Sequence, residues 1–145
     1  GGRFDDPLTN ARVLDLFSGT GALGIEALSR GASSITFIEK NLKACKLIQK
    51  NINLTGVGIQ AKIINTNALT LKINTNLPFN LVFLDPPYGK GLGSEALQNA
   101  YNTGWIAKNA LIVWEESSLQ SPPGGFQLVH DKSYGNSKVT FLRAL

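Results

Sequence analysis

Five short runs of apolar and β-branched residues recur along the chain: Arg12–Phe17, Ser34–Glu39, Ala61–Asn65, Phe79–Leu84 and Ala110–Trp114. Apolar residues at helical spacing fill two of the intervals, Ala22–Arg30 before Gly31 and Leu42–Leu54 before Gly56 and Gly58. A third helix is expected at about Gly93–Asn102. Strands that are apolar almost throughout have no face to give to water, and a helix is the usual crossover between parallel neighbours. The alternation therefore predicts a mostly parallel sheet covered on both faces. Beyond Glu116 the pattern changes. Ser117–Gly125 is rich in Ser, Pro and Gly, and the two strand-like runs that follow, Phe126–Asp131 and Lys138–Leu145, lie too close together for a helical crossover. They must pair antiparallel at one end of the sheet. The expectation is a doubly wound, Rossmann-like α/β fold ending in an antiparallel hairpin, with its switch point beside the first strand.

At 145 residues the chain has the length of one domain, residues 1–145. A hydrophobic content of 43% excludes intrinsic disorder. The longest apolar runs, such as Leu81–Leu84 and Ala110–Trp114, fall far short of the roughly 18 residues a membrane span needs. No basic segment followed by an apolar stretch opens the chain, so a cytoplasmic location is expected. One cysteine, Cys45, and one histidine, His130, cannot supply an intrachain disulfide or the usual four-ligand zinc site, and no metal is expected. A formal net charge of +4 favours an anionic partner such as nucleic acid. The opening Gly1-Gly2-Arg3 and the lack of any Met suggest that a natural N-terminal segment precedes these residues.

Two motifs carry chemistry. The first, Asp15-Leu16-Phe17-Ser18-Gly19-Thr20-Gly21-Ala22-Leu23-Gly24, is a G-x-G-x-x-G between a strand and a helix. Its glycines let the backbone turn sharply and approach a ligand, and Glu39, closing the next strand, can accept hydrogen bonds from ribose hydroxyls. Both features suit an adenosine-containing cofactor. A dinucleotide would place its pyrophosphate at the helix N-terminus. A sulfonium cofactor has no phosphate, and Asp15 is compatible with its cationic groups. The second motif, Asp85-Pro86-Pro87-Tyr88, directly follows the strand Phe79–Leu84. Paired prolines cannot continue a ladder, so they freeze the backbone at the carboxyl end of the sheet, where α/β ligands bind. Asp85 and a proline carbonyl can accept the N–H groups of a planar nucleobase amine while Tyr88 offers an aromatic face. That arrangement favours the sulfonium cofactor.

On the tetrad Asp85–Tyr88 the sequence resembles class I S-adenosylmethionine-dependent methyltransferases that modify exocyclic amines of nucleic-acid bases. More narrowly, Val13–Ala32, Asn80–Tyr88 and Lys132–Ser137 (KSYGNS) are similar to the RsmD-type guanine-N2 methyltransferases of 16S ribosomal RNA. The resemblance implies a class I methyltransferase fold and S-adenosylmethionine as cofactor. It also implies ribosomal RNA or a small-subunit assembly particle as partner, with a monomeric enzyme. It places Asp15, Phe17, Ser18, Gly19, Thr20 and Gly21 around the methionine moiety, Glu39 on the ribose and Asn67-Ala68 at the adenine. Asp85, Pro86, Pro87 and Tyr88 would hold the target guanine. Asn67 stands where the wider class commonly has an aspartate, and nothing before Arg12 matches the family's N-terminal R-P-T segment. An adenine-N6 DNA methyltransferase and a non-catalytic RNA-binding or nicotinamide-binding domain are the alternatives.

Lys40, Lys43, Lys46 and Lys50 fall on one side of the second helix, opposite Ala44, Ile48 and Ile52, and are expected to be a solvated face, with RNA backbone contact as the alternative. Cys45 reads as a small buried hydrophobe, His130 as structural, and Trp105 and Trp114 as core residues. Lys90 and Tyr134 are candidates to touch RNA.

Overall fold

The computed structural model describes residues 6–56 and 60–145. Gly58, expected to help end the second helix, lies outside them. Strands β1 (Arg12–Asp15), β2 (Ser34–Ile38), β3 (Ala61–Ile64), β4 (Phe79–Leu84), β5 (Ile106–Glu116), β6 (Phe126–Tyr134) and β7 (Ser137–Ala144) form one sheet in the order β3-β2-β1-β4-β5-β7-β6. The strands from β3 to β5 pair parallel, and β7 alone runs against its neighbours. Helices α1 (Ala22–Ser29) and α2 (Leu42–Thr55) pack on one face, and α3 (Leu92–Asn102) packs on the other. The order reverses between β1 and β4, which is the expected switch point.

Alternate residues of each strand supply the two cores. Val13, Ile35, Phe37 and Leu81 meet Ala27, Leu28, Ile48 and Ile52 of α1 and α2. Leu14, Ile38, Val82, Leu84, Ile112 and Trp114 meet Ala96, Leu97 and Ala100 of α3. Trp105 and Trp114 are buried as expected, and so is Cys45, whose Sγ lies 3.3 Å from the Glu39 carbonyl. Lys40 precedes α2 rather than sitting on it, and Asn41 caps that helix by accepting from the Ala44 N–H.

Three boundaries differ from expectation for physical reasons. The first strand ends at Asp15, because Leu16 and Phe17 already belong to the turn leading to α1. The fifth strand begins at Ile106, four residues before the apolar run. Its register against β4 shifts after Phe79–Ile106, and Asn109 takes a left-handed φ of 67° within that irregularity. The final hairpin turns in only two residues, Gly135 and Asn136, so Lys132, Ser133 and Tyr134 are strand rather than loop.

Candidate active site

The turns after β1, β2, β3 and β4 converge at the carboxyl edge of the sheet around a cavity of about 330 Å³. Phe17, Gly19, Glu39, Asn67, Ala68, Asp85, Pro86 and Pro87 line it, so eight of the sequence-derived site residues share its wall. Glu39 organises that wall. Its Oε1 accepts from the Gly19 N–H and its Oε2 from the Asn41 N–H, both at 2.9 Å, which ties the glycine turn to the end of β2 and the start of α2. A Cβ on Gly19 would meet nothing within 4 Å, and its φ of 56° suits glycine, so the backbone here is open to a ligand. Asn67 opens the short 3-10 turn Ala68–Thr70 and accepts from the Leu69 N–H at 2.9 Å.

The remaining expected residues of the glycine turn shape it rather than line the cavity. Asp15 is 2% exposed and does not line the cavity. Burial, followed by the neighbouring charge of Asp85, pushes its carboxyl up to about 7. Ser18 donates its hydroxyl to the Asp15 carbonyl at 2.9 Å, and the Thr20 carbonyl accepts from Asn51 Nδ2 at 3.0 Å, so both shape the turn. Gly21 caps α1 with a φ of 80°, and a Cβ there would press on Ile48 and Phe37 at 3.1–3.3 Å. Gly24 is tighter still, at 2.5 Å from Phe37 Cε1. Of the three glycines, the first faces the cavity and the other two seat α1 on the sheet.

Asp85 is exposed at the cavity edge, with its carboxyl held above the ordinary range by partial burial and by Glu115 and Glu116. Tyr88 is 48% exposed and lies outside the cavity lining. Its hydroxyl lies 3.2 Å from Ser137 Oγ, at the start of β7. Leu16, which the sequence placed within the glycine motif, Lys40, expected instead on a solvated helix face, and Ile38, Thr66, Leu69 and Leu92, not singled out in sequence, complete the lining. Most of them adjoin a residue that was singled out, so proximity was their signal. Leu92 enters from α3 and had none.

A larger cavity of about 440 Å³ opens at the opposite edge, between the starts of β1, β2 and β4. Arg12 there already donates to the carbonyls of Leu77 and Pro78, and none of the motif residues reaches it.

A sheet ordered β3-β2-β1-β4-β5-β7-β6 with only β7 reversed, carrying its cavity at the switch point, defines the class I methyltransferase fold. A solved Escherichia coli protein, yhhF, provisionally described as a methyltransferase, matches with a TM-score of 0.84 and 34% identity. The match covers 94% of this chain and 78% of that one. An RNA methyltransferase from Salinibacter ruber, solved in complex with S-adenosyl-L-homocysteine, shares the fold at a TM-score of 0.74. It is 15% identical, over 93% of this chain and 81% of that chain. The chain belongs to the family described as "Conserved hypothetical protein 95", which it matches over residues 3–143. The ribosomal RNA small subunit methyltransferase D of Escherichia coli K12 is 37% identical over 131 residues. The chain spans 66% of that relative's length, with 88% of its own residues aligned.

Proposed function

We propose that this chain transfers a methyl group from S-adenosylmethionine to the exocyclic N2 amine of a guanine in 16S ribosomal RNA. It would act as a single cytoplasmic domain over residues 1–145, as a monomer, on the RNA or on a small-subunit assembly particle. The observation that carries this reading is the position of Asp85-Pro86-Pro87 in the lining of the same cavity as Gly19, Glu39, Asn67 and Ala68. A base-amine motif and a nucleoside-binding turn share one cleft. The Escherichia coli relative supports the ribosomal substrate.

The residues present fit the cofactor. Glu39 keeps lone pairs free for ribose hydroxyls beyond its two backbone bonds. Gly19 leaves room at the wall, and Phe17, Ala68 and Leu69 supply apolar surface for adenine. Among the described residues, no cationic side chain lies within 4 Å of the buried Asp15 carboxylate, which suits a cationic ligand group. When bound there, S-adenosylmethionine supplies a methyl group made electrophilic by its sulfonium.

An exocyclic purine amine is a poor nucleophile because its lone pair is delocalised into the ring. If Asp85 and the Pro86 carbonyl accept its two hydrogens, the nitrogen pyramidalises and directs its lone pair away from the ring plane. Acceptors placed around a nitrogen that gains positive charge stabilise the transition state more than the ground state. The prolines hold those acceptors without conformational search, and Asp85 is placed to take the leaving proton.

The test uses unmethylated small-subunit ribosomal RNA, free and in particles, with methyl-labelled cofactor and mass spectrometry of the nucleosides. The expected product is N2-methylguanosine. Labelled N6-methyladenine in a DNA control would replace this reading with a DNA methyltransferase. Calorimetric binding of NAD with no binding of S-adenosylhomocysteine would leave only a nicotinamide-binding domain. Cofactor binding with no transfer to any nucleic acid would leave a non-catalytic domain.

A further inference from the structure

β6 is an edge strand with eight of its nine residues exposed, including Leu128, Val129 and Tyr134. Such an edge, with both faces open to water, contributes little to a core. Its two-residue turn lies at the same edge of the sheet as the cavity, because Lys138 pairs with Glu116 at the end of β5 and Leu84 pairs with Trp114. Tyr134 and Ser137 face each other across the turn, and Ser137 Oγ reaches the Tyr88 hydroxyl at 3.2 Å. The hairpin tip is thus physically joined to the Asp85–Tyr88 tetrad.

The tip carries Lys132 and Tyr134 on one face and Lys138 on the other, with Lys90 exposed just beyond the tetrad. Among the described residues, none of these lysines has a carboxylate within 4 Å. Glu116 is buried and accepts from Trp114 Nε1 at 2.8 Å, while Asp131 lies on the face opposite Lys132, which Lys138 shares without an ion pair to it. Tyr134 is 56% exposed. Unpaired lysines beside an uncovered aromatic ring match what a single-stranded nucleic acid offers, phosphates at regular spacing and a base face to stack.

We propose that the tip of the β6–β7 hairpin is the docking surface for the RNA strand flanking the target base, Lys132 and Lys138 taking phosphates and Tyr134 stacking a neighbouring base. The inference rests on the reading of the chain as an RNA methyltransferase. A base drawn out of its stack leaves its neighbours to be held, and a rigid hairpin fixed to the tetrad holds them in register with the reacting amine. The surface commits to RNA over protein because Lys90, Lys132 and Lys138 outnumber its one exposed carboxylate, Asp131, and stand beside an uncovered aromatic ring.

The experiment measures methyl transfer to small-subunit ribosomal RNA, free and in assembled particles, and binding of S-adenosylhomocysteine for wild type, Lys132→Ala/Lys138→Ala, Tyr134→Ala and Tyr134→Phe. The double lysine variant should raise KM for RNA about ten-fold at physiological salt and reduce the salt slope of RNA binding by about 1.4, with kcat little changed. Tyr134→Ala should raise KM at least about five-fold and Tyr134→Phe should restore it, since stacking needs the ring and not the hydroxyl. Cofactor affinity should not move. Wild-type KM in the alanine variants, or a loss of RNA affinity matched by an equal loss of cofactor affinity, overturns the proposal. So does a defect seen only on assembled particles, which would mean that the tip docks on a ribosomal protein. A wild-type chain that binds S-adenosylhomocysteine but methylates no RNA fails the underlying function instead, and the inference with it.

Discussion

The Glu39 carboxylate and the Gly19 N–H are joined at 2.9 Å, twenty positions apart in sequence, and that bond closes the glycine turn against the end of β2. Glu39 therefore has two tasks, shaping the turn and presenting acceptors to a ribose.

Glu39→Ala should weaken S-adenosylhomocysteine binding by about 1.5–3 kcal/mol, the range for hydrogen bonds to a charged group. It should also lower the melting temperature, because the Gly19 and Asn41 N–H groups lose their acceptor. Glu39→Gln keeps one carbonyl oxygen and should fall between the two. Calorimetric titration alongside thermal melting separates the tasks. Full cofactor affinity in a folded Glu39→Ala protein would take Glu39 out of the site.

Gly19 and Gly24 should respond in opposite ways. An alanine at Gly24 meets Phe37 at 2.5 Å and Ile35 at 2.9 Å, an overpacked contact that should cost about 1–3 kcal/mol of stability. Cofactor affinity should stay close to wild type once the protein is folded. An alanine at Gly19 meets no atom but must adopt a φ of 56°, which costs about 1–2 kcal/mol, and its methyl group occupies the cavity wall. Its main effect should be on S-adenosylhomocysteine binding. Chemical denaturation and calorimetry on both variants give the comparison, and identical profiles would contradict the division of roles.

Asp15 links pH to both stability and binding. Its carboxyl is raised from 3.8 to about 7, first by burial and then by Asp85. Between about pH 4 and pH 7 the native chain holds a proton that the unfolded chain has lost, so stability falls as pH rises through that window. Asp15→Asn should flatten that fall. A cationic cofactor group in the cavity that Asp15 stands behind favours the charged form, so binding should release a proton and tighten as pH rises toward 7. Titrations in two buffers of different ionisation heat would count that proton. A pH-independent dissociation constant with no proton released would separate Asp15 from the cofactor.

Much of this was legible in sequence because it is local. Phe79–Leu84 announced β4 by unbroken apolar character, and the prolines after it placed Asp85 at the end of that strand. Alternation of strand and helix was enough to indicate a mostly parallel sheet with its switch point beside the first strand, but the strand order came from the structure. What escaped depends on distant partners. Nothing within Ala22–Ser29 says that Gly24 presses on Phe37 of β2, so all three glycines look alike as turn residues. Nothing near Tyr88 points to Ser137, 49 positions away. The early start of β5 escaped because a polar, left-handed Asn109 interrupts its alternation. Asp15 looks in sequence like a residue lining the ligand site, and only packing shows it standing behind the wall.

Asp85 gives the sharpest test of the chemistry. It is exposed at the cavity edge, it makes no hydrogen bond or ion pair among the described residues, and its carboxyl is held above the ordinary range by burial and by Glu115 and Glu116. Replacing it should leave the melting temperature unchanged or slightly raised. Asp85→Asn keeps the shape but turns an N–H donor toward the amine's own N–H, so an attraction becomes a repulsion. Loss of such a transition-state hydrogen bond costs about 2.7–4 kcal/mol, or about 10²–10³ in rate. For the wild type, the raised carboxyl places the acid limb of the rate profile above the ordinary range for aspartate, since the acceptor role requires the ionised form. Single-turnover transfer at saturating RNA and cofactor, measured across pH for both proteins, reads these effects free of binding. Retention of more than about a tenth of the wild-type rate by Asp85→Asn would exclude an amine-orienting role for this carboxylate.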